Sequence, residues 1–244
     1  MALDKGTFRK LLTTGKPILL DGATGTLLIQ ETGVQNNILW ASGLNLDDPL
    51  LVTRILHDYI DAGADIITTN TFRTNYLAYD RAGIKTDYAA FVRAGVSPAI
   101  AARHDHPRIL IAGSNAPAED CYQAERTISE GQLRKNHALH ISALVQSGVD
   151  FILNETQSHL DEIEIICEYC DRIAVPYIMS FYVTGELRLF SGETIQEALE
   201  KLAAYEIDAV CINCVSPGLF GSLMSKVSLP PRWGFYLNCG KGNI

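Results

Sequence analysis

The sequence has no uninterrupted apolar run of about 18 residues, the length that a membrane-spanning helix requires. Residues 1–10 also lack the apolar stretch of a secretory signal peptide. Positive charge is scarce, with 20 lysines and arginines against 28 acidic residues, so no basic surface is offered to nucleic acid or an anionic membrane. These absences predict a soluble, cytoplasmic protein that acts on small molecules.

Several catalytic signatures are missing as well. There is no nucleophile elbow, no G-x-G-x-x-G after the first predicted strand and no H-E-x-x-H. The glycine-containing loop at residues 21–26 lacks the Gly-Lys-Ser/Thr ending of a P-loop. Serine hydrolysis, dinucleotide redox chemistry and zincin-type proteolysis therefore have no support.

Six cysteines occur, but a reducing cytosol keeps thiols free and a core of this size needs no disulfides. Cys167 and Cys170 have a C-x-x-C spacing within a segment of helical period, which favours core positions over a metal or redox site. Cys121 lies in a loop and belongs to no motif. Cys214 differs from these, because it follows directly on an apolar strand.

Short apolar runs alternate along the chain with longer segments of helical period, which is a βαβα pattern. Near-continuous apolar strands indicate a parallel sheet that is covered on both faces. The 244 residues, 47% of them hydrophobic, are enough for one barrel domain, and we expect residues 1–244 to form a single unit. The predicted strands are 18–20, 66–67, 109–112, 151–153, 177–181, 209–212 and 233–237.

Polar residues gather at the carboxyl ends of these strands, where a TIM barrel carries its active site. Five or six such strand ends fit a barrel better than the single crevice of a doubly wound sheet. Only about seven strands are found where a closed barrel has eight. The helical segment 8–12 before the first strand is placed to plug the barrel floor.

The loop that starts at Asp21 joins a carboxylate to two glycines, a combination suited to an amino-acid zwitterion or to a plain tight turn. Glu155 ends the fourth strand and is either a solvated loop acid or a site residue. Hydroxyls and an amide end the second strand, although threonine is also ordinary strand filler; the site candidates there are Thr69, Asn70 and Thr71. His57, His137 and His140 lie in helical segments and are interpreted as surface or core residues.

Taken together, the strand-end residues resemble the homocysteine S-methyltransferase family. That family includes betaine- and S-methylmethionine-dependent enzymes and the homocysteine-binding module of cobalamin-dependent methionine synthase. The matching segments appear in family order along essentially the whole chain; they are 20–26, 62–72, 112–114, 155–156, 212–214 and 236–238. The segment 62–72 is specific by itself.

The resemblance implies a TIM barrel that binds zinc through three cysteine thiolates, with the sulfur of homocysteine as the incoming ligand. Cys214 matches the first of the three, while the segment that carries the adjacent pair of cysteines is missing. Asn238 matches an asparagine that offers its oxygen to zinc in some members. Cys239 is either an improvised ligand or a small-residue replacement, and Cys211 stands where the family usually has glycine.

The resemblance also implies the roles of the remaining site residues. Asp21 and Glu155 match the acids that hold the substrate ammonium, and Gly22 and Ala23 match the backbone that receives its carboxylate. We therefore expect zinc-dependent methyl transfer from a small donor such as S-methylmethionine to homocysteine, giving methionine, in a chain shortened by its last barrel strand and flanking helices. The alternative is a binding protein or inactive remnant without the metal, and a homo-oligomer is possible in either case.

Overall fold

The structure, a computed structural model, describes residues 5–34 and 38–238. Its strands form one six-stranded sheet in which neighbours in sequence are neighbours in space and every pair is parallel. They are β1 Ile66–Thr68, β2 Leu110–Asn115, β3 Phe151–Gln157, β4 Tyr177–Phe181, β5 Ala209–Asn213 and β6 Trp233–Tyr236. The sheet curls as a half-barrel, consistent with a partial TIM-like barrel.

Seven strands were expected, and the first of them is reduced to a single parallel bridge between Leu20 and Ile66. The backbone nitrogen of Asp21 donates to the carbonyl of Ile66 over 2.9 Å, so this short segment still lies against the edge of β1. The other six expected strands are confirmed, with ends that agree within one residue except at β2 and β3, which extend three and four residues further than predicted.

Helices alternate with the strands, and most of them cover the outer face of the sheet. They are α1 Lys5–Leu11, α2 Thr24–Thr32, α3 Leu44–Asp47, α4 Pro49–Asp61, α5 Tyr76–Arg81, α6 Tyr88–Ala102, α7 Glu130–Ser147, α8 Leu160–Arg172, α9 Ile195–Lys201 and α10 Pro217–Met224, with short 3-10 turns at Trp40–Gly43 and Leu202–Ala204. No helix within the described residues is long and apolar enough to cross a lipid bilayer.

Local sequence signals explain where several helices begin and end. The side chain of Asp48 accepts a hydrogen bond from the backbone of Leu51, and Pro49 occupies the first turn of α4. Ser129 and Gln132 form a capping box at the start of α7. Gly148 ends that helix at a φ of 97°, a conformation that glycine adopts without a steric penalty.

Two hydrophobic layers hold the sheet. The larger fills the space between the strands and the outer helices and includes Cys167 and Cys170, so their expected core positions are confirmed. The smaller lies inside the curl of the sheet, where Phe8 of α1 stacks on Phe151 with ring centroids 4.0 Å apart. Phe8 is only 1% exposed, so α1 plugs the floor of the half-barrel as the sequence predicted.

Strand β6 forms one edge of the described sheet. Its side chains alternate between the inside and the outside of the curl, and Trp233 and Phe235 point outward and are about half exposed. Phe235 packs on Phe220 of α10 with ring centroids 4.8 Å apart. Inside the curl, Cys211 of β5 lies against Gly234, and burial raises the pKa of its thiol to about 12.

Candidate functional site

A cavity of about 750 Å³ opens at the carboxyl ends of the strands, the end at which barrel enzymes carry their chemistry. We call it the strand-end cavity. The residues predicted from the sequence that line it are Asp21, Gly22, Ala23, Thr69, Asn70, Glu155, Cys214 and Asn238. Chain topology alone brings these residues together, since they come from loops spread over more than 200 positions.

Asp21 lies at the base of the cavity and is 9% exposed. The backbone nitrogen of Thr68 donates to its Oδ2 over 2.7 Å, and the Thr68 hydroxyl donates to its Oδ1 over 3.0 Å. Burial nevertheless raises the pKa of Asp21 to about 7, and the nearby charge of Glu155 adds to that rise. This carboxyl is therefore fixed in position but short of a cation.

Glu155 lines the same cavity and lies within an irregular part of β3. The register of β3 against β4 shifts between Asn154 and Gln157, and a bulge of this kind re-aims side chains at a strand end. The Ser114 hydroxyl donates a hydrogen bond to Oε1 of Glu155, and the Tyr236 hydroxyl donates to Oε2 over 3.5 Å.

Burial raises the pKa of Glu155 to about 7 as well. Among the described residues, neither Asp21 nor Glu155 forms an ion pair. A buried acid and a half-buried acid that face one cavity without a basic partner create a strong preference for a cationic ligand group.

The glycine loop supplies the opposite polarity. Helix α2 begins at Thr24 directly after Gly22 and Ala23, and no side chain caps its first turn. The first N–H groups of a helix lack partners within the helix and attract anions, so this end of the cavity suits a carboxylate. A Cβ atom at Gly22 would lie 2.7 Å from the ring of Tyr59, so a larger residue there would require the Tyr59 ring to shift.

The three residues after β1, Thr69 to Thr71, differ in whether they line the cavity. Thr69 and Asn70 line the cavity, and the Asn70 amide also donates to Oδ1 of Asn45 over 2.9 Å. The Thr71 hydroxyl is fully buried and donates to the carbonyl of Ser114 over 2.8 Å, so it stiffens the wall behind the cavity. Thr71 is not among the described residues that line the cavity, and its contact with a substrate stays a prediction.

Cys214 follows β5 with a φ of 55°, in the left-handed region that costs a non-glycine residue energy. Its sulfur accepts hydrogen bonds from the Asn213 amide over 3.2 Å and from the Thr156 hydroxyl over 3.8 Å. Burial, and to a smaller extent the charge of Glu155, raises the pKa of the Cys214 thiol. A cation at this position would be needed to offset that rise.

Asn213 helps to build the site through its hydrogen bonds, although its sequence context predicted no separate role for it. Its Oδ1 accepts from the backbone nitrogen of Thr156 over 3.0 Å and from the Ser180 hydroxyl over 2.7 Å. Its side chain therefore ties together the ends of β3, β4 and β5 and presents its N–H to Cys214. The sequence signal that could have identified Asn213 is its position directly before a cysteine at the end of a strand.

Asn238 lines the cavity beside Cys214. Its side-chain nitrogen donates to the backbone carbonyl of Cys214 over 3.0 Å, and its backbone nitrogen donates to the carbonyl of Val215. These bonds leave its amide oxygen as the atom to offer a ligand. The expected role of Cys239 lies outside the described residues.

The mouth of the cavity is formed largely by residues outside the segments that the sequence singled out, namely Trp40, Arg73 and Tyr122. Trp40 and Phe72 meet edge to face with centroids 5.9 Å apart, and the guanidinium of Arg73 lies 5.5 Å above the Phe72 ring. Arg73 also donates to the carboxylate of Asp120 over 3.2 Å. Tyr122 comes from the same loop as Asp120 and lines the cavity together with Cys214.

The predicted structural histidines are buried in a polar network behind β2 and β3. Nε2 of His137 lies 2.7 Å from Oε1 of Glu162, and Nδ1 of His140 lies 2.9 Å from Oδ1 of Asn115. Burial lowers the pKa of His140 to about 3, which keeps that ring neutral. Neither histidine lines the strand-end cavity, so their interpretation as core residues is confirmed.

A family model described as "Homocysteine S-methyltransferase" matches residues 18–243. The homocysteine S-methyltransferase YbgG of Bacillus subtilis is 26% identical, over 90% of this chain and 77% of that protein. Homocysteine S-methyltransferase 1 of Brassica oleracea is also 26% identical, over 86% of this chain and 72% of its own length.

Among solved structures, the metallated form of the homocysteine methyltransferase MmuM from Escherichia coli superposes with a TM-score of 0.84. The match covers 96% of this chain and 88% of that one at 24% identity. At that level of identity the likeness supports the half-barrel architecture described above.

Proposed function

The chain belongs to the homocysteine S-methyltransferase family, and from that membership we propose that it transfers a methyl group from a small donor to the thiol of homocysteine. The family match covers residues 18–243, and the related proteins are named as enzymes, so the chain is an enzyme of this class. These comparisons do not favour the alternative of a binding protein without activity. The product would be methionine.

The observation that carries this proposal is the pair of acids, Asp21 buried and Glu155 half-buried, opposite an uncapped helix start. An amino acid is a zwitterion, and its ammonium would lie between Asp21 and Glu155. Burial raises the pKa of both carboxyls, so a cation that binds between them would stabilise their charged forms. Its carboxylate would accept hydrogen bonds from the backbone at Gly22 and Ala23, ahead of α2. This arrangement positions the ligand before any chemistry occurs.

The far end of such a ligand would approach Cys214, which lines the same cavity. Zinc accepts cysteine sulfur as a ligand and usually takes four donors. Cys214 fits it as one sulfur, and we propose Asn238 as an oxygen donor beside it, because its amide oxygen remains available. Bound zinc would supply a lower pKa for the homocysteine thiol, making that sulfur a better nucleophile at neutral pH.

The cavity mouth favours a methyl donor that carries both a positive and a negative charge. The faces of Trp40 and Tyr122 suit an onium methyl group, because aromatic rings attract cations. The guanidinium of Arg73 is a partner for a carboxylate. We therefore propose a donor similar to S-methylmethionine.

The donor proposal predicts a specific defect. Arg73→Gln should raise the KM for S-methylmethionine about tenfold or more through the loss of a charged hydrogen bond, while the KM for trimethylsulfonium, which has no carboxylate, stays within about twofold. Arg81→Gln, an exposed arginine on α5, is the control. Equal effects of Arg73→Gln on both donors would reject a carboxylate contact.

Three wider proposals rest on the same assignment. We propose that residues 1–244 form one homocysteine-binding domain, that the enzyme works in the cytoplasm, and that it serves methionine biosynthesis. Homocysteine and the methyl donor are its proposed partners. A measurement of the molecular mass in solution would test whether the chain forms a homo-oligomer. No contact with nucleic acid or a membrane is proposed.

The direct test is to supply zinc, L-homocysteine and S-methylmethionine and to measure the methionine formed. Asp21→Asn should raise the KM for homocysteine about tenfold to a hundredfold, because a charged hydrogen bond to the ammonium is lost. Asp47→Asn, an exposed acid on α3, is the matched control. Turnover that is absent with every onium donor, together with equal affinity for homocysteine and methionine by calorimetry, would instead support the binding protein.

A further inference from the structure

A second group of metal-binding side chains lies outside the strand-end cavity. The ligand atoms of His57, Asp61 and His106 all lie within 4.8 Å of one another, and among the described residues no other group of three histidine, cysteine or acidic side chains does so. Nδ1 of His57 is 3.3 Å from Oδ2 of Asp61. The rings of His57 and His106 meet edge to face, with centroids 5.2 Å apart.

The fold places this group at the opposite end of the strands from the cavity. His57 and Asp61 lie one turn apart in the last part of α4, which leads into β1. His106 lies in the turn between α6 and β2, and that turn is held by a hydrogen bond from His106 N to Arg103 O of 2.8 Å. Because these helices return the chain to the amino ends of the strands, all three side chains are remote from Cys214.

The spacing suits a divalent transition metal. With zinc–ligand distances of about 2.0–2.2 Å, two ligands of a tetrahedral site are roughly 3.4 Å apart, which is close to the separation of His57 and Asp61. The His106 ring needs to approach by no more than about 1.5 Å, a movement that side-chain rotation supplies. Two imidazoles and a carboxylate are a common donor set for zinc and neighbouring metals.

The surroundings are also favourable. The carboxyl end of a helix carries partial negative charge, so the last turn of α4 attracts a cation. The side chains of His57 and Asp61 are 45% and 64% exposed, which gives a metal ion access and leaves the fourth position to water. A metal there would join α4 to the α6–β2 turn, two segments that are 45 residues apart in the chain.

We infer that His57, Asp61 and His106 form a site for a divalent transition-metal ion such as zinc, separate from the strand-end cavity and structural in its effect. A ligand that binds only the folded chain stabilises it. Metal analysis of the wild-type protein would accordingly report this site together with any ion at Cys214, and only variants can tell the two apart.

The test uses the full chain, stripped with a chelator and titrated with zinc in the calorimeter and in thermal unfolding. Cys214→Ser should retain one zinc site, and zinc at about 100 times its Kd should raise the unfolding midpoint by roughly 5 to 10 °C. Adding His106→Ala to that variant should abolish both the binding and the midpoint shift. His57→Ala in the same background should do likewise.

His104→Ala is the matched control, because His104 is two residues away and its side chain is 85% exposed. It should leave zinc binding within about twofold of its value in the Cys214→Ser background. No zinc binding to Cys214→Ser would overturn the inference, as would equal loss of binding in the His104 and His106 variants. All of these substitutions are at exposed or half-buried positions, so the circular dichroism of the stripped protein should stay unchanged.

Discussion

The side-chain amide of Asn213 donates a hydrogen bond to the sulfur of Cys214 over 3.2 Å. The same side chain accepts a bond from the backbone nitrogen of Thr156, at 3.0 Å. Cys214 and Thr156 both hold left-handed backbone conformations, with φ of 55° and 58°. Such conformations persist only where the surroundings over-determine them, and Asn213 is the residue that contacts both.

Asn213→Asp should therefore separate orientation from packing. The aspartate keeps the oxygen that accepts from Thr156 and Ser180 but places a second oxygen against the Cys214 sulfur, where a donor is needed. We expect kcat/KM to fall about tenfold to a hundredfold, the equivalent of a buried donor lost. The measurement is steady-state methyl transfer on protein shown by circular dichroism to be folded.

The control for that substitution is Asn136→Asp. Asn136 is 1% exposed on α7, its Oδ1 accepts from the backbone of Leu77, and it is remote from the cavity. It buries the same new charge and should lower thermal stability while leaving kcat/KM within about threefold. If both variants lost activity equally, buried charge and not the contact with Cys214 would be the cause.

A second prediction concerns Gly25 in the first turn of α2. A Cβ atom at this position would lie 2.4 Å from the ring of Trp40, closer than any real contact allows. Gly25→Ala should cost about 1–3 kcal/mol in the free energy of unfolding and displace Trp40 from the cavity mouth. Gly43→Ala, where a Cβ would meet nothing within 4 Å, should be neutral or stabilising by up to about 1 kcal/mol. Urea unfolding of the two variants decides the comparison.

A third prediction follows from the raised pKa values of Asp21 and Glu155. In the folded state without ligand both carboxyls have a pKa of about 7, whereas in the unfolded chain they titrate near 4. Between these values the folded state binds more protons, so this contribution to stability is lost as the pH rises from about 4 to about 7. The Asp21→Asn, Glu155→Gln double variant should show a flatter profile of unfolding midpoint against pH and exceed the wild type in stability at pH 8. A wild-type profile equally flat over this range would contradict the burial of two unpaired acids.

The floor of the half-barrel offers a fourth test. Phe8 stacks on Phe151 and is 1% exposed, so Phe8→Ala would leave a cavity beneath the sheet and cost about 3–5 kcal/mol. Leu11→Ala removes a partly buried neighbour on the same helix and should cost less. If α1 packed only weakly, the two substitutions would have similar small effects in denaturant unfolding.

The strand-end carboxylates were predictable because each follows an apolar run, and parallel strands bring their carboxyl ends to one edge. The position of α1 was predictable for a related reason. A helical segment that precedes the first strand can pack its apolar side against the open floor of the barrel. Residues that come from irregular loops carry no such signal. Trp40 and Tyr122 reach the cavity through loop conformations that neither periodicity nor motif determines.

The bulge near Glu155 shows a second limit of sequence reasoning. The pattern at 151–157 is that of an ordinary strand, yet the register shifts after Asn154 and Thr156 adopts a positive φ. A β-branched residue is rarely found in that conformation, so its sequence argues against the observed backbone. Contacts from Asn213, 57 residues away, hold it there, and long-range contacts of that kind are invisible to local patterns.

The last prediction concerns Ser114, whose hydroxyl donates to Glu155 and thereby lowers the pKa of that carboxyl against the effect of burial. Ser114→Ala should raise the pKa of Glu155 further, because the charged form loses its donor. Binding of an ammonium group requires the carboxylate, so the affinity for an amino acid should reach its plateau at a higher pH than in the wild type. L-Methionine is a suitable probe, since it has no thiol whose own titration would interfere.

The affinity for L-methionine is measured by calorimetry from pH 6 to 9. At low pH the affinity of Ser114→Ala should lie well below that of the wild type, and at pH 9 the two values should approach each other. Ser97→Ala, at an exposed serine of α6 whose hydroxyl donates to the carbonyl of Arg93 in the same helix, should reproduce the wild-type curve. A loss of affinity by the same factor at every pH would show that Ser114 shapes the cavity and does not tune the carboxyl. A shifted curve that keeps its plateau would tie amino-acid binding to the ionised form of Glu155, as the two unpaired acids require.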